Sequence, residues 1–463
     1  MRTSQGPSRR EHYTASRWNM LTWVRRAYTV AVLLEGLSLA RNFAPAVFPA
    51  VTPAPVGDRS KSPQRAHATD ASVAPFVSVV LPARNEAENI VDCAHSLLTQ
   101  TAHGVPVQVI VVDDASTDAT GTLLDTLRDE VGAAFDEIPG SGHAQRVTAP
   151  LASLTALHLQ EKPQGWAGKT HALHRGSALA RGEWLLFTDA DTRWQPGAVE
   201  ALVAFAETTG ADLVTVVPHL ILPTLTERIV VPTLMLTLLL TTQPVDVRHP
   251  QRRWAAGANG QCILVRRAAY KAVGGFAHPA LRGALLDDSS LARVIKAAGY
   301  RLQMARGQRL LSVRMYPTLA DAWQGWVRSL GASFQMYPRT VGTGLFLLLG
   351  ALTLAPYALV IRGLMSRLGG SGAAPSQKTG RADTRSQQRA QATLVSGGVA
   401  LGVTLASYGW VIRGLALPLW YTLLHPIGVL LQLALLGQAW LGRLRGKPVV
   451  WKARAYRSSD TLM

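Results

Sequence analysis

The sequence predicts an α/β fold, a mainly parallel sheet with helices on both faces, followed by C-terminal transmembrane helices. Three observations predict it. From residue 76 to about residue 330, apolar runs of about five residues alternate with helical stretches, the pattern of strand-helix units around a parallel sheet. Acidic pairs follow the ends of several of those runs, and open parallel sheets bind their ligands at the carboxyl ends of strands. Beyond Tyr337 the chain is apolar in blocks without Asp, Glu, Lys or Arg at 341–361, 393–412 and 414–440, and roughly 20 such residues cross a bilayer.

Taken in order, residues 1–20 are polar and read as disordered. Residues 21–40 fit a secretory signal, a membrane anchor or an amphipathic surface helix. Glu35 inside the apolar stretch and Arg41-Asn42 after it, without a cleavage site, favour an uncleaved anchor or interfacial helix. Residues 41–75, rich in Pro, Ala and Ser, form a linker. The α/β region then runs over 76–337, with strands expected at 77–81, 108–112, 154–159, 184–188 and 213–217. Helices are expected at 87–100, 118–131, 170–180 and 196–207, with a loop at 132–150. The uncharged run 229–245 interrupts this pattern. It is short for a span and has Pro232 and Pro244 near its ends, which suggests an interfacial or re-entrant helix.

The net charge of +18 would fit a nucleic-acid partner, but its distribution argues against one. Basic residues crowd the loop 362–392 and the tail 441–463, beside the apolar blocks, as juxtamembrane charge facing anionic lipid does. Two or three membrane helices follow. The last two blocks form a hairpin, and 341–361 either dips in and returns or spans. The two cysteines, Cys93 and Cys262, lie in apolar settings and read as buried free thiols of a reducing compartment.

Three acidic groups carry the chemistry: Asp113-Asp114 after VIVV, Asp189-Ala190-Asp191 after WLLFT, and Asp287-Asp288 about a hundred residues later. A carboxylate at the lip of a buried strand needs a cation, a ribose or a base as partner. The third pair precedes a helical pattern at 290–298, so it either caps that helix or is brought to the same rim by the fold. Gly168-Lys169-Thr170 is not a phosphate loop, because the position of the loop's first glycine is Pro163. His171 and His174 lack a third donor for zinc, and Trp323 and Trp326 read as packing or an interfacial belt.

The ordered set VSVVLPARNEAENI (77–90), VIVVDDAST (109–117), GWAGKTHALHRGSALARGEWLLFTDADT (165–192), VGGF (273–276) and LLDDSSLARVIKAAGYR (285–301) resembles the family-2 glycosyltransferases of GT-A fold. With the trailing MYPTLADAWQGWVRSL, it is most similar to the membrane-bound carotenoid- and hopanoid-associated branch. The resemblance implies that Pro82, Arg84, Asn85 and Glu86 lie at the nucleotide pocket, that Asp113 and Asp114 contact uracil and ribose, and that Lys169 lies near the nucleotide. It implies a D-x-D element in which Asp191 binds Mg2+ or Mn2+ bridging the diphosphate, with Asp189 on the ribose or a metal-bound water. Asp288 is then the general base, and Asp287, often Glu in the family, holds it. Gln324, Trp326 and Arg328 are candidate diphosphate or acceptor contacts, or one face of an amphipathic helix. They lack the Gln-x-x-Arg-Trp spacing of processive synthases, which points to one sugar rather than a polymer.

The expected function is a membrane-bound inverting transfer of one sugar from a nucleotide-sugar donor, with a tilt toward UDP, to a carotenoid, hopanoid or polyisoprenoid acceptor. Such donors place the catalytic domain on the cytoplasmic side of a multi-pass protein of the cell inner (plasma) membrane. A sugar nucleotidyltransferase also uses a nucleotide-binding sheet and Mg2+, but needs neither Asp287-Asp288 nor membrane helices. A catalytically silent membrane scaffold is the other alternative, and intact carboxylates at all three places argue against it.

Overall fold

The computed structural model describes residues 76–136, 152–335, 339–369, 380–451 and 454–456 apart from 104, 254 and 317, together with 30, 32–34, 36–37 and 48–53. The N-terminal segment 1–20, most of the anchor and linker candidates, and residues 137–150 of the expected loop lie outside the described residues. Eight strands form one sheet: β1 (Val77–Ala83), β2 (Val107–Asp114), β3 (Ala152–Leu159), β4 (Trp184–Phe187), β5 (Thr192–Trp194), β6 (Leu213–Leu220), β7 (Ile263–Arg266) and β8 (Leu302–Val313). Their order is β3-β2-β1-β4-β7-β6-β8-β5. The pairings β1-β2, β1-β4, β2-β3 and β6-β8 are parallel, while β4-β7, β6-β7 and β5-β8 are antiparallel.

The five strands expected from the sequence all form. The other three were invisible for physical reasons. β5 and β7 have three and four residues, too few for a periodic signal. β8 carries Arg306 and Arg309 among its apolar residues, which breaks the apolar run. Because β7 enters antiparallel between β4 and β6, the sheet is mixed on that side and parallel around β1.

Every residue of β2 is buried, so both faces of the sheet are covered at this strand, whereas most of β3 at the edge is only partly buried. Helices α1 (Ile90–Leu98), α2 (Thr120–Asp136), α3 (Gly168–Leu179) and α4 (Ala198–Thr209) match the four expected helices. α2 runs beyond residue 131, so the start of the expected 132–150 loop is helical. α3 meets the sheet at Gly176, where an added Cβ would stand 2.5 Å from Val80 Cγ1 and 2.9 Å from Val112 Cγ2. This close approach sets α3, and with it Lys169, on the β1-β2 face. Beside it Phe187 packs against Phe276 and Tyr270, with ring centroids 5.3 and 5.4 Å apart. Cys93 and Cys262 are buried free thiols, and burial pushes the Cys93 thiol up to about 12.

Residues 228–240 and 339–434 belong to a separate unit. Its helices are α5 (Leu225–Thr241), which enters from the sheet domain, then α8 (Arg339–Gly369), α9 (Gly380–Gly414) and the first half of α10 (His425–Leu444); α6 (Asp287–Ala297) and α7 (Leu319–Gln335) belong to the sheet domain. Segments Ser386–Gly414 and Leu419–Leu444 are long and apolar enough to cross a membrane. α8 is one helix of 31 residues despite Pro356, so 341–361 does not dip and return within itself. The basic stretch 362–392, expected as a loop, is helical at 362–369 and 380–392.

Glycines let α8 and α9 approach closely. An added Cβ at Gly363 would meet Leu394 Cα at 2.8 Å, and one at Gly397 would meet Leu359 Cβ at 2.8 Å. The uncharged run 229–245 is α5 followed by the start of a short helix at Pro244–Arg248, and Pro232 lies inside α5 rather than at its end. Within the unit, Thr233 Oγ1 donates to Gly428 O at 3.4 Å and Gln432 Nε2 donates to Thr237 Oγ1 at 2.6 Å. Leu236 is 9% exposed, whereas Leu238 is 51% exposed.

Gly176→Ala should lower the unfolding midpoint in thermal denaturation of the detergent-solubilised protein, by an overpacking cost of about 1–3 kcal/mol. Gly132→Ala, whose Cβ in α2 meets nothing within 4 Å, should leave the midpoint unchanged or raise it.

Candidate active site

The site is built at the carboxyl ends of β1, β2 and β4. β1 and β2 pair in register to Ala83 and Asp113, which brings the Arg84-Asn85-Glu86 turn beside the Asp114–Thr120 turn. The two turns are cross-linked. Arg84 donates to Asp114 O at 2.5 Å and to Ala115 O at 3.1 Å, Asn85 N donates to Ser116 Oγ at 2.9 Å, and Thr117 N donates to Asn85 Oδ1 at 2.8 Å. Glu86 N donates to Thr120 Oγ1 at 2.8 Å. Asn85 (φ 53°) and Ala115 (φ 54°) both take the left-handed conformation that disfavours side chains. Strain of that kind persists where surrounding bonds over-determine the backbone, and it concentrates at ligand sites. Asp113 and Asp114 are buried at this rim, Asp113 accepting from Ser116 N at 3.0 Å.

At the end of β4, Thr192 Oγ1 donates to Asp189 O at 2.8 Å, closing the turn that carries Asp189-Ala190-Asp191. Lys169, in the first turn of α3, sits 2.8 Å from Asp189 Oδ1 and 3.4 Å from Asp287 Oδ2. The third acidic pair is therefore at the same rim. Neither Asp is the N-cap of α6, which is Leu286; both lie in the first turn. Asp288 Oδ1 accepts from Ser289 N at 2.6 Å and Oδ2 from Gly260 N at 3.1 Å. The capping reading thus gives way to a held carboxylate.

Gly260 was not visible as a functional position in the sequence. A Cβ there would stand 3.2 Å from Lys169 Nζ and 3.6 Å from both Asp189 Oδ2 and Asp288 Oδ2. Three charged groups from three separate elements converge on one glycine. Its loop is fixed on one side by Thr188 Oγ1 donating to Gln261 O at 2.9 Å. On the other, the buried ammonium of Lys296 on α6 donates to Asp246, Val247 and Ala255 carbonyls at 2.9, 2.6 and 2.6 Å. No motif signals Lys296, because its role depends on which carbonyls the loop presents.

The candidates on α7 divide. Gln324 is exposed. Trp326 is buried, with its ring edge-on to Tyr316 at 6.1 Å, so it packs. Trp323 donates to Gln438 Oε1 at 2.8 Å. Arg328 is partly buried and burial works against its charge, with Tyr316 and Asp189 opposing that effect, so of the three it lies within electrostatic range of the site. His171 and His174 pack on Trp166, at 5.5 and 5.1 Å between ring centroids.

A family model described as "Glycosyltransferase like family 2" matches residues 74–335, more than half of the chain. The chain belongs to this glycosyltransferase family. It is 26% identical over 259 residues to a 4,4'-diaponeurosporenoate glycosyltransferase of Staphylococcus aureus, covering 55% of this chain and 60% of that protein. It is 31% identical over 139 residues to the succinoglycan biosynthesis protein ExoO of Rhizobium meliloti, covering 30% of this chain and 32% of that one. The chain thus spans about a third to three fifths of these relatives. Among solved structures, the mannosyltransferase PcManGT of Pyrobaculum calidifontis, in complex with GDP-Man and Mn2+, aligns over 90% of this chain and 96% of its own at 20% identity, TM-score 0.48.

The electrostatics of this family-2 site are those of crowded, buried acids. Burial raises the pKa of Asp191, and Asp189 and Glu86 raise it further. Burial likewise raises Asp287 and Asp288, against the opposing pull of Lys169. Burial disfavours the Lys169 ammonium, yet Asp189, Asp287 and Asp288 outweigh it and hold its pKa above the ordinary value.

Asp191 Oδ1 is buried with no hydrogen-bond partner. A divalent cation fits that orphaned oxygen, because Mg2+ is commonly held by one or two carboxylates with substrate phosphates and water completing the shell. Among the described residues no group of three His, Cys, Asp or Glu could hold a metal by itself.

Asp288→Asn should reduce sugar transfer by about 10²–10⁴-fold while nucleoside-diphosphate affinity stays near wild type. Asp191→Ala should lose metal-dependent nucleotide binding as well. Titration calorimetry with UDP and either metal separates the two, and an equal loss of binding in both variants would refute the division of roles.

Proposed function

We propose that this chain is a membrane-bound inverting glycosyltransferase that moves one sugar from a nucleotide-sugar donor to a lipid-like acceptor. The observation that carries it is the convergence of Lys169, Asp189 and Asp288 around Gly260. Donor and acceptor chemistry require such groups within one sugar's breadth of each other. Asp113 and Asp114 serve the nucleoside, with UDP favoured, and the Arg84-Asn85-Glu86 turn keeps their loop in place. Lys169 lies where it can follow the charge that leaves with the nucleoside diphosphate, and Arg328 faces the same charge.

Asp288 takes the proton of the acceptor hydroxyl. Its raised pKa, from burial, suits a base that must hold that proton through the transition state. Asp287, ion-paired to Lys169, keeps Asp288 in place. A Mg2+ or Mn2+ ion bound by Asp191, with Asp189 nearby, would neutralise the diphosphate. In-line attack from the face opposite the leaving group inverts the anomeric centre.

The acceptor assignment draws on two supports. The relative matched over 259 residues is named for 4,4'-diaponeurosporenoate, while the match to the succinoglycan protein covers 139 residues. The apolar helix α5 also leaves the sheet domain between β6 and the Asp287-Asp288 pair and belongs to a unit with helices apolar enough to cross a membrane. An enzyme held at a bilayer meets a lipid there without extracting its tail, which costs about 0.8 kcal/mol per methylene exposed to water. Carotenoids, hopanoids and other polyisoprenoids fit. The multi-pass arrangement in the plasma membrane, with the catalytic domain cytoplasmic, belongs to the same reading.

Leu238 is the residue on α5 with which to test the acceptor, since Leu236 is packed inside the apolar unit and its substitution would unfold it. Leu238→Glu should cut transfer of labelled sugar into the organic-solvent fraction of membranes far more than it cuts donor hydrolysis. A proportional fall in both, or efficient transfer to a soluble sugar, would count against a lipid-like acceptor.

A further inference from the structure

β2 and β3 pair so that His158 lies directly beside Asp113. His158 Nδ1 is 3.1 Å from Asp113 Oδ2, and its Nε2 is 3.3 Å from Asp125 Oδ1 on α2. Asp125 in turn accepts from Arg128 at 2.8 Å. Asp113 is therefore gripped at both oxygens, by Ser116 N on Oδ1 and by the imidazole on Oδ2. On the α2 side the pair is closely packed. Gly121, in the first turn of α2, faces it so closely that a Cβ would stand 3.2 Å from Asp113 Oδ2 and 3.6 Å from His158 Nδ1.

We infer that His158 is a positioning residue of the donor pocket, which fixes the rotamer of Asp113 and so sets how tightly the nucleoside is held. The inference rests on the donor-site reading given above. Three elements contribute: β2 supplies the acid, β3 the imidazole, and α2 both the second carboxylate and the glycine that makes room. A carboxylate free to rotate would lose orientation and face the nucleoside with a fraction of its population. One held by charge-assisted bonds presents its remaining lone pairs in a single direction. The charge state agrees with the geometry. The hydrogen bond to Asp113 raises the pKa of His158 most, Asp125 raises it further, and burial opposes them, so the imidazolium survives to higher pH than in the unfolded chain.

The test uses the full-length protein in detergent, with UDP as the probe in calorimetry and steady-state kinetics alongside. His158→Ala should weaken UDP and raise the donor KM by roughly tenfold, the size expected for a hydrogen bond to a charged group, while kcat at saturating donor holds. His158→Asn should restore most of the affinity, because its amide N–H takes the place of Nδ1–H. Asp125→Asn, on the exposed side, should shift UDP affinity in the same direction by less, and serves if His158→Ala folds poorly.

The groups that face the imidazole are Asp113 and Asp125, with Arg128 behind Asp125. The contribution of the imidazolium to UDP binding is present at pH below the raised folded value of His158 and is lost as pH rises through that value. The ratio of wild-type to His158→Asn affinity for UDP should therefore fall as pH rises through that value. Wild-type KM and UDP affinity in both His158→Ala and Asp125→Asn, or a fall in kcat with KM unchanged, would overturn the assignment. A wild-type chain that binds neither UDP nor GDP would instead overturn the donor-site reading, and this inference with it.

Discussion

The mutual repulsion of the buried Asp287 and its neighbours Asp288 and Asp189, gathered around Lys169, is the constraint on which the rest of this structure depends. Burial and the neighbouring negative charge favour the protonated forms of Asp287 and Asp288 unless a cation is supplied. Lys169 supplies one charge, at 2.8 Å from Asp189 and 3.4 Å from Asp287. One ammonium stands among several acids, and the Asp191 oxygen without a hydrogen-bond partner is where the proposed divalent cation would bind. The ordering of α3, the β4-β5 turn and the first turn of α6 around this point is a strain that packing elsewhere must offset.

That packing is visible in two places. Gly176 lets α3 lie against β1 and β2, which sets the height of Lys169 above the sheet. Lys296 ties the 246–255 stretch to α6 through three carbonyls, and burial pushes its pKa down to about 8, so the clamp is bought at the cost of a desolvated ammonium. The loop carrying Gly260 is thereby fixed, and Asp288 receives the Gly260 N–H at a defined position. On the opposite rim, left-handed Ala115 is held against its own preference by the Arg84 bonds, while Asn85, a residue that tolerates this conformation, is fixed by the Ser116 and Thr117 bonds.

The apolar unit follows a different physics. Its helices approach through glycines, as at Gly363 and Gly397, and hydroxyl and amide side chains such as Thr233, Thr237 and Gln432 join α5 to α10. Close van der Waals packing at the glycines and these inter-helix hydrogen bonds hold its helices together. A segment that looks like an interruption of the catalytic domain in sequence is a structural member of this unit.

The sequence by itself determined the five strands whose apolar runs are long enough to show, the helices between them, and the three acidic groups at strand and helix ends. Those features are local: each rests on a few neighbouring residues and the burial of their own side chains. It also located the apolar blocks, since length and lack of charge suffice for that. The tertiary structure decided what no local pattern encodes. It placed β7 antiparallel between β4 and β6, closed α6 onto the rim so that Asp287-Asp288 became part of the site rather than a cap, and turned Gly260, Lys296 and His158 into site residues. Each of these depends on residues far apart in the chain being brought together, as the Gly260–Asp288 bond and the Lys169–Asp287 ion pair illustrate. Such proximity is set by the close packing of the whole core, and a glycine or a lysine carries no sign of it in its own neighbourhood.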